Sequence, residues 1–61
     1  MQRQTISVKE AAEYLGISKD LVYSLVRHKQ IPNVKVGRRI LFRKEALNDW
    51  LERQEVNSLY N

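Results

Sequence analysis

The stretch SVKEAAEYLGISKDLVYSLVR, residues 7–27, predicts two short helices joined by a tight turn. Ser7 and Glu10 have the spacing of a capping box, in which each side chain accepts a hydrogen bond from the backbone N–H of the other residue. Gly16 readily takes the left-handed conformation that ends many helices, and Ser18 is a good N-cap for a second helix. Two short helices connected in this way form a helix-turn-helix arrangement.

Apolar residues recur along both helices at the three- and four-residue spacing of one buried face. The positions that we expect to be buried are Val8, Ala11, Ala12, Leu15, Leu21, Val22, Leu25 and Val26. We place the end of the second helix near His28. Isolated helices shorter than ~12–15 residues are marginal in water, so each of these helices needs the other as a packing partner.

Pro32 prevents further helix, because its ring fixes φ and it lacks a backbone N–H. Residues 34–36 then alternate like a strand, residues 37–39 are expected to form a turn, and residues 40–42 are expected to be the return strand. They predict a small β-hairpin, which must lie on the helices because a two-stranded hairpin is marginal alone. A third helix is expected over 44–53. Its apolar stripe would consist of Ala46, Leu47, Trp50 and Leu51.

Two registers fit the hairpin. A two-residue turn sets Lys35 opposite Ile40, whereas a three-residue turn sets Val36 opposite Ile40 and Val34 opposite Phe42. We prefer the three-residue turn because it collects four apolar side chains on one face. Lys35 then points away from the core.

The composition limits the fold and the function. The chain has 61 residues, no Cys and one His, which suits a single small domain and excludes a disulfide framework and a thiolate zinc site. We expect a domain over 6–53 with flexible tails at 1–5 and 54–61. No apolar run approaches the ~18 residues of a membrane span. We find no nucleophile–base pair, metal set or phosphate loop, so we expect neither an enzyme nor a bound cofactor.

Positive charge is concentrated in the middle of the chain. Residues 19–44 carry eight Lys or Arg and one acid, a net charge of +7, whereas the whole chain carries +4. The remainder is therefore −3. A segment this basic within a small domain is typical of nucleic-acid binding.

The second helix presents a polar face opposite its apolar stripe, and a DNA major groove admits one helix. Arg27 could contact a guanine edge or a phosphate, and Tyr23 and Ser24 suit phosphate oxygens. Asp20 could accept from a cytosine amino group or stabilise the helix N-terminus. The recognition-helix residues that we expect at DNA are Ser18, Lys19, Asp20, Tyr23, Ser24, Arg27 and Lys29.

The hairpin supplies a second basic element. Two guanidiniums at its tip could follow the DNA backbone or enter a minor groove, where the negative potential is enhanced if the groove is narrow. The expected contacts here are Lys35, Gly37, Arg38 and Arg39. Arg43 and Lys44 are expected to add secondary contacts to the backbone.

Together, the motifs at 7–12, 15–18, 22–26, 31–32, 36–39 and 42–44 resemble the excisionase-type winged helix-turn-helix domain. This domain is related to AlpA-like phage regulators and to the DNA-binding domain of mercury-resistance-type regulators. The resemblance spans residues 6–53. It implies a mainly α fold of three helices with a small β-hairpin wing.

The resemblance also implies a function. The helix at 18–28 would enter the major groove of double-stranded DNA, and the turn at 37–39 would be the wing. Members are small proteins of bacteria, phages and transposons, so we expect this chain to be cytoplasmic and associated with the nucleoid of a bacterial host. Some are recombination directionality factors, which bind side by side, bend DNA and bias an integrase partner towards excision. Others are transcription regulators.

Two residues depart from this pattern. Lys29 stands where similar domains often have Gly, and a left-handed conformation there would cost Lys roughly 1 kcal/mol. Leu41 stands where a polar residue is common, and the preferred register points it outward. Exposed Leu41 and the Leu59-Tyr60 tail support an alternative function, a protein-interaction adaptor that uses the same fold without DNA.

Overall fold

The computed structural model describes residues 5–59, with side chains described for residues 5–57. The elements in chain order are β1 (Ile6–Ser7), α1 (Val8–Leu15), α2 (Lys19–Arg27), β2 (Val34–Val36), β3 (Arg39–Phe42) and α3 (Lys44–Leu59). The strands form one antiparallel sheet in the order β1-β3-β2. Three helices with a β-hairpin wing make a winged helix-turn-helix, so the predicted fold class is confirmed.

The predicted boundaries of α1 are confirmed by its caps. The Ser7 Oγ accepts from the backbone N–H of Glu10 at 3.2 Å, and the Glu10 carboxylate accepts from the backbone N–H of Ser7 at 3.1 Å. Gly16 has a left-handed φ of 72°. The N–H of Ile17 then donates to the carbonyl of Ala12 at 3.0 Å. This bond satisfies a carbonyl that the helix end would leave free.

The start and end of α2 are also as predicted. Ser18 is the N-cap and His28 is the C-cap. Lys29 follows with a φ of 56°, so this lysine does adopt the left-handed conformation. The N–H of Gln30 donates to the carbonyl of Leu25 at 2.8 Å. Both α1 and α2 therefore end in the same hydrogen-bonded turn.

The preferred register of the hairpin is wrong, because the turn between β2 and β3 has two residues. Lys35 lies opposite Ile40, and Val36 lies opposite Arg39. Gly37, the first turn residue, has a φ of 60°. A positive φ at this position is typical of a type II′ turn, whose twist matches that of the flanking strands. Turn geometry thus outweighs the grouping of apolar side chains.

The observed register changes which side chains face the solvent. Val34 and Val36 were expected on the core face but are 42% and 58% exposed. Lys35 was expected to point away from the core, yet it pairs with Ile40, which packs against the core. Leu41 lies on the opposite face of the sheet, as predicted, and is half-buried there.

The core draws on all three helices and on two of the strands. Its buried residues are Ile6, Val8, Ala11, Ala12, Val22, Val26, Ile31, Phe42 and Leu47. Strand β1, which the sequence analysis missed, pairs Ile6 with Phe42. Leu21 and Leu51 were predicted to be buried but are 46% and 41% exposed. Each lies at the edge of the apolar stripe of its helix, where the neighbouring helices and strands no longer cover the helix surface.

Helix α3 continues to Leu59, so its predicted end at Arg53 is wrong. Residues 54–59 contain neither Pro nor Gly, and nothing in them stops a helix. The predicted flexible tails fall partly outside the described residues, which exclude 1–4 and 60–61. Their mobility stays a prediction. Across residues 5–59, no helix is both long enough and apolar enough to span a lipid bilayer.

Candidate nucleic-acid interface

A groove of about 340 Å³ lies where the start of α1, the first turns of α2 and the tip of the hairpin meet. It is lined by Ser7, Val8, Lys9, Lys19, Tyr23, Arg38, Arg39 and Ile40. Half of these residues are Lys or Arg and none is acidic, so we call it the basic groove. Its charge and its two hydroxyl groups suit an anionic ligand.

Helix α2 supplies one wall of the basic groove. Lys19 and Tyr23 are four residues apart, so they lie one above the other on the same helix face. The adjoining face of α2 is held in the core by Val22, which is fully buried, and by Val26. Tyr23 is 49% exposed. The packed face fixes the helix while the ammonium and the phenol stay open to a ligand.

The hairpin supplies the other wall. Arg38 is the second residue of the turn, and Arg39 begins β3 opposite Val36. Both arginines are exposed. Because Gly37 allows a turn of two residues, the hairpin is tight and both guanidiniums lie close to its tip. The predicted wing arginines and the predicted recognition helix therefore meet in one groove.

The other predicted residues of α2 lie outside the groove lining but on the same exposed side. Asp20, Tyr23 and Arg27 are spaced three and four residues apart, which places them along one face. Asp20 is in the first turn, where a carboxylate is favoured by the helix dipole. Ser24 is half-buried, and its carbonyl oxygen lies 2.8 Å from the His28 Nδ1.

The remaining predicted contacts are not brought into the groove. Lys35 lies on the edge strand β2 and is exposed. Arg43 forms an exposed ion pair with Glu45 at 3.6 Å. The Lys44 ammonium lies 5.7 Å from the centre of the Tyr14 ring. These three cations contribute to the wider basic surface rather than to the groove itself. Ser18 and Lys29 lie in the turns at the two ends of α2, and Gly37 lies in the turn of the hairpin.

Lys9 and Ser7 line the basic groove, and the sequence analysis did not select them. Lys9 lies in the first turn of α1, outside the basic segment 19–44 that supports most of the predicted DNA contacts. Pairing of β1 with β3 brings the start of α1 beside the hairpin. No local signal predicts such a two-residue strand. The signal that could have identified Lys9 as a groove residue is its exposed position next to the predicted cap, Ser7.

Among the residues that the structure describes, no three His, Cys, Asp or Glu side chains are grouped closely enough to hold a metal ion.

Comparisons with known proteins agree with the helix-turn-helix fold. A protein-family model described as a helix-turn-helix domain matches residues 5–55. Two relatives from Mycobacterium tuberculosis are named "Putative DNA-binding protein Rv0500A" (strain H37Rv) and "Putative DNA-binding protein MT0521" (strain CDC 1551). Each is 39% identical to the chain over 49 residues, which cover 80% of this chain and 63% of the relative. No solved structure matches. The chain belongs to this helix-turn-helix domain family.

Proposed function

We propose that this chain binds double-stranded DNA in a sequence-specific manner, with α2 in the major groove and the hairpin as a wing on the adjacent backbone or minor groove. The observation that carries the proposal is the basic groove, where Lys9, Lys19, Arg38 and Arg39 meet without an acidic residue. The names of the two M. tuberculosis relatives support DNA as the ligand. Binding rather than catalysis is the proposed role.

Helix α2 would read the base edges. Its exposed face offers a carboxylate at Asp20, a phenol at Tyr23 and a guanidinium at Arg27, which together provide hydrogen-bond donors and acceptors. Arg27 suits a guanine edge or a phosphate. Tyr23 and Ser24 suit phosphate oxygens, which position a protein on the duplex without reading sequence. Asp20 either accepts from a cytosine amino group or stabilises the helix start.

The start of α1 and the wing would hold the backbone on one side of α2. Lys9, Arg38 and Arg39 surround the space beside Tyr23, and each can pair with a phosphate. Such contacts supply most of the affinity for any duplex. Lys35, Arg43 and Lys44 would add weaker contacts from the surrounding surface. If the cations of the basic groove contact phosphates and α2 contacts the bases, the groove cations should determine the affinity for any duplex and the outer face of α2 should determine sequence specificity.

The biological role that we propose is that of an excisionase-type protein in a bacterial cell or its mobile elements. It acts either as a recombination directionality factor with an integrase partner or as a transcription regulator. A single module buries only ~600–1,000 Å² of protein surface on DNA. High specificity would therefore come from several copies bound side by side on repeated half-sites.

The proposal is tested by fluorescence anisotropy. Purified protein is titrated into a labelled duplex that it has enriched from a random pool, and into a scrambled duplex, at two salt concentrations. With about six phosphate contacts, log K should fall against log salt with a slope near −5, and the enriched duplex should bind more tightly. Equal binding to both duplexes would contradict specific recognition. Absence of binding to either would contradict DNA binding altogether and favour the adaptor function.

A further inference from the structure

Leu21 is an exposed apolar side chain at the edge between the apolar stripe and the polar face of α2. It occupies the third position of α2 and is 46% exposed. The buried position beside it is taken by Val22, which is fully enclosed. The core therefore does not account for a leucine at residue 21.

The position of Leu21 follows from helix geometry. At ~100° per residue, Leu21 and Tyr23 lie about 160° apart around α2, with Asp20, Ser24 and Arg27 between them. Tyr23 lines the basic groove on the hairpin side. Leu21 therefore borders the exposed face on the flank away from the hairpin. Residues in the first turns of a recognition helix are the ones that approach base edges.

Leucine can recognise only an apolar group, since it has no hydrogen-bond donor or acceptor. Among the base edges in the major groove, the apolar group is the C5-methyl of thymine. Against any other edge, the side chain would cover polar atoms and leave them without a partner. We propose that Leu21 is a specificity-determining residue that contacts a thymine methyl and so fixes one A·T pair in the DNA site.

This inference rests on the proposed function and is tested in two steps. First, wild-type protein and Leu21→Ala each enrich duplexes from a random pool. We expect the wild-type pool to contain an invariant thymine whose preference the variant loses, while the other positions are kept. Leu51→Ala is the matched control, because Leu51 is similarly exposed but lies on α3. Its pool should equal the wild-type pool.

Second, each thymine of the enriched duplex is replaced in turn by deoxyuridine, which removes only the methyl group. At one position the loss should weaken wild-type binding about fourfold, as expected for one buried methyl group, and should leave Leu21→Ala unchanged. If every replacement is neutral, or if the loss persists in Leu21→Ala, the inference is wrong while DNA binding stands. If no duplex is enriched, the inference about Leu21 and the proposed sequence-specific DNA binding are both wrong. The wild-type replacements give a result even if the variant does not fold.

Discussion

The indole Nε1–H of Trp50 donates a 2.7 Å hydrogen bond to the backbone carbonyl oxygen of Gln30, a residue 20 positions earlier in the chain. Gln30 lies in the turn that closes α2, just after left-handed Lys29. The bond therefore ties α3 to the end of α2. Tyr14 makes a second tie to α3, since its hydroxyl donates to Asn48 at 2.6 Å. Together they hold α1, α2 and α3 as one support for the basic groove.

Trp50→Phe should lower the free energy of unfolding by about 0.5–1.5 kcal/mol, because it removes this hydrogen bond and keeps an aromatic ring in place. Trp50→Ala should lower the free energy of unfolding further, because it also removes the half-buried ring that packs against the core. Urea denaturation followed by circular dichroism measures both changes. Equal stability of wild type and Trp50→Phe would show that the bond to Gln30 contributes nothing.

Lys29→Gly should be more stable than Lys29→Ala by about 1 kcal/mol, because glycine adopts a left-handed φ without the steric cost of a Cβ. Both variants remove the same ammonium, so their comparison isolates the backbone effect. Thermal or urea unfolding provides the measurement. Alanine as stable as glycine at this position would argue against a left-handed residue 29.

Single alanine substitutions at Lys9, Lys19 and Arg38 should each weaken binding to all duplexes and reduce the magnitude of the salt slope by about 0.9. Arg53→Ala is the matched control, because Arg53 lies on the exposed side of α3 near Asp49 and Glu52. Anisotropy titrations over a range of salt concentrations supply the slopes. An effect of Arg53→Ala as large as that of Lys9→Ala would place the DNA on another surface.

Arg27→Ala should cost about 1–3 kcal/mol of specific binding and relax the preference at one base pair, if the guanidinium contacts a guanine edge. Selection from a random pool shows which position is relaxed. A uniform loss on all sequences, with a smaller salt slope, would instead assign Arg27 to a phosphate.

Local signals in the sequence were sufficient for the boundaries of α1 and α2. The capping box at Ser7, the left-handed Gly16 and the Ser18 cap each predicted a boundary that the structure confirms. These features act over a few neighbouring residues, so they are visible without tertiary structure. The polar face of α2 was visible for the same reason.

Features that depend on distant residues were missed or misassigned. The hairpin register followed the turn chemistry at Gly37 rather than the pattern of the valines. Pairing of Ile6 with Phe42 could not be inferred from a two-residue strand. Lys9 enters the basic groove only because of that pairing. The exposure of Leu21 depends on how wide a stripe of α2 the other elements cover.

The most direct test of the account is an NMR titration of the 61-residue chain with the enriched duplex, followed by backbone amide shifts. The account predicts that the largest changes fall in α2, in the turn at Gly37 and Arg38, and at the start of α1 near Lys9, while residues 49–57 on the outer side of α3 change little. Changes concentrated on α3, with α2 and the hairpin unaffected, would contradict the assignment of the basic groove as the DNA interface.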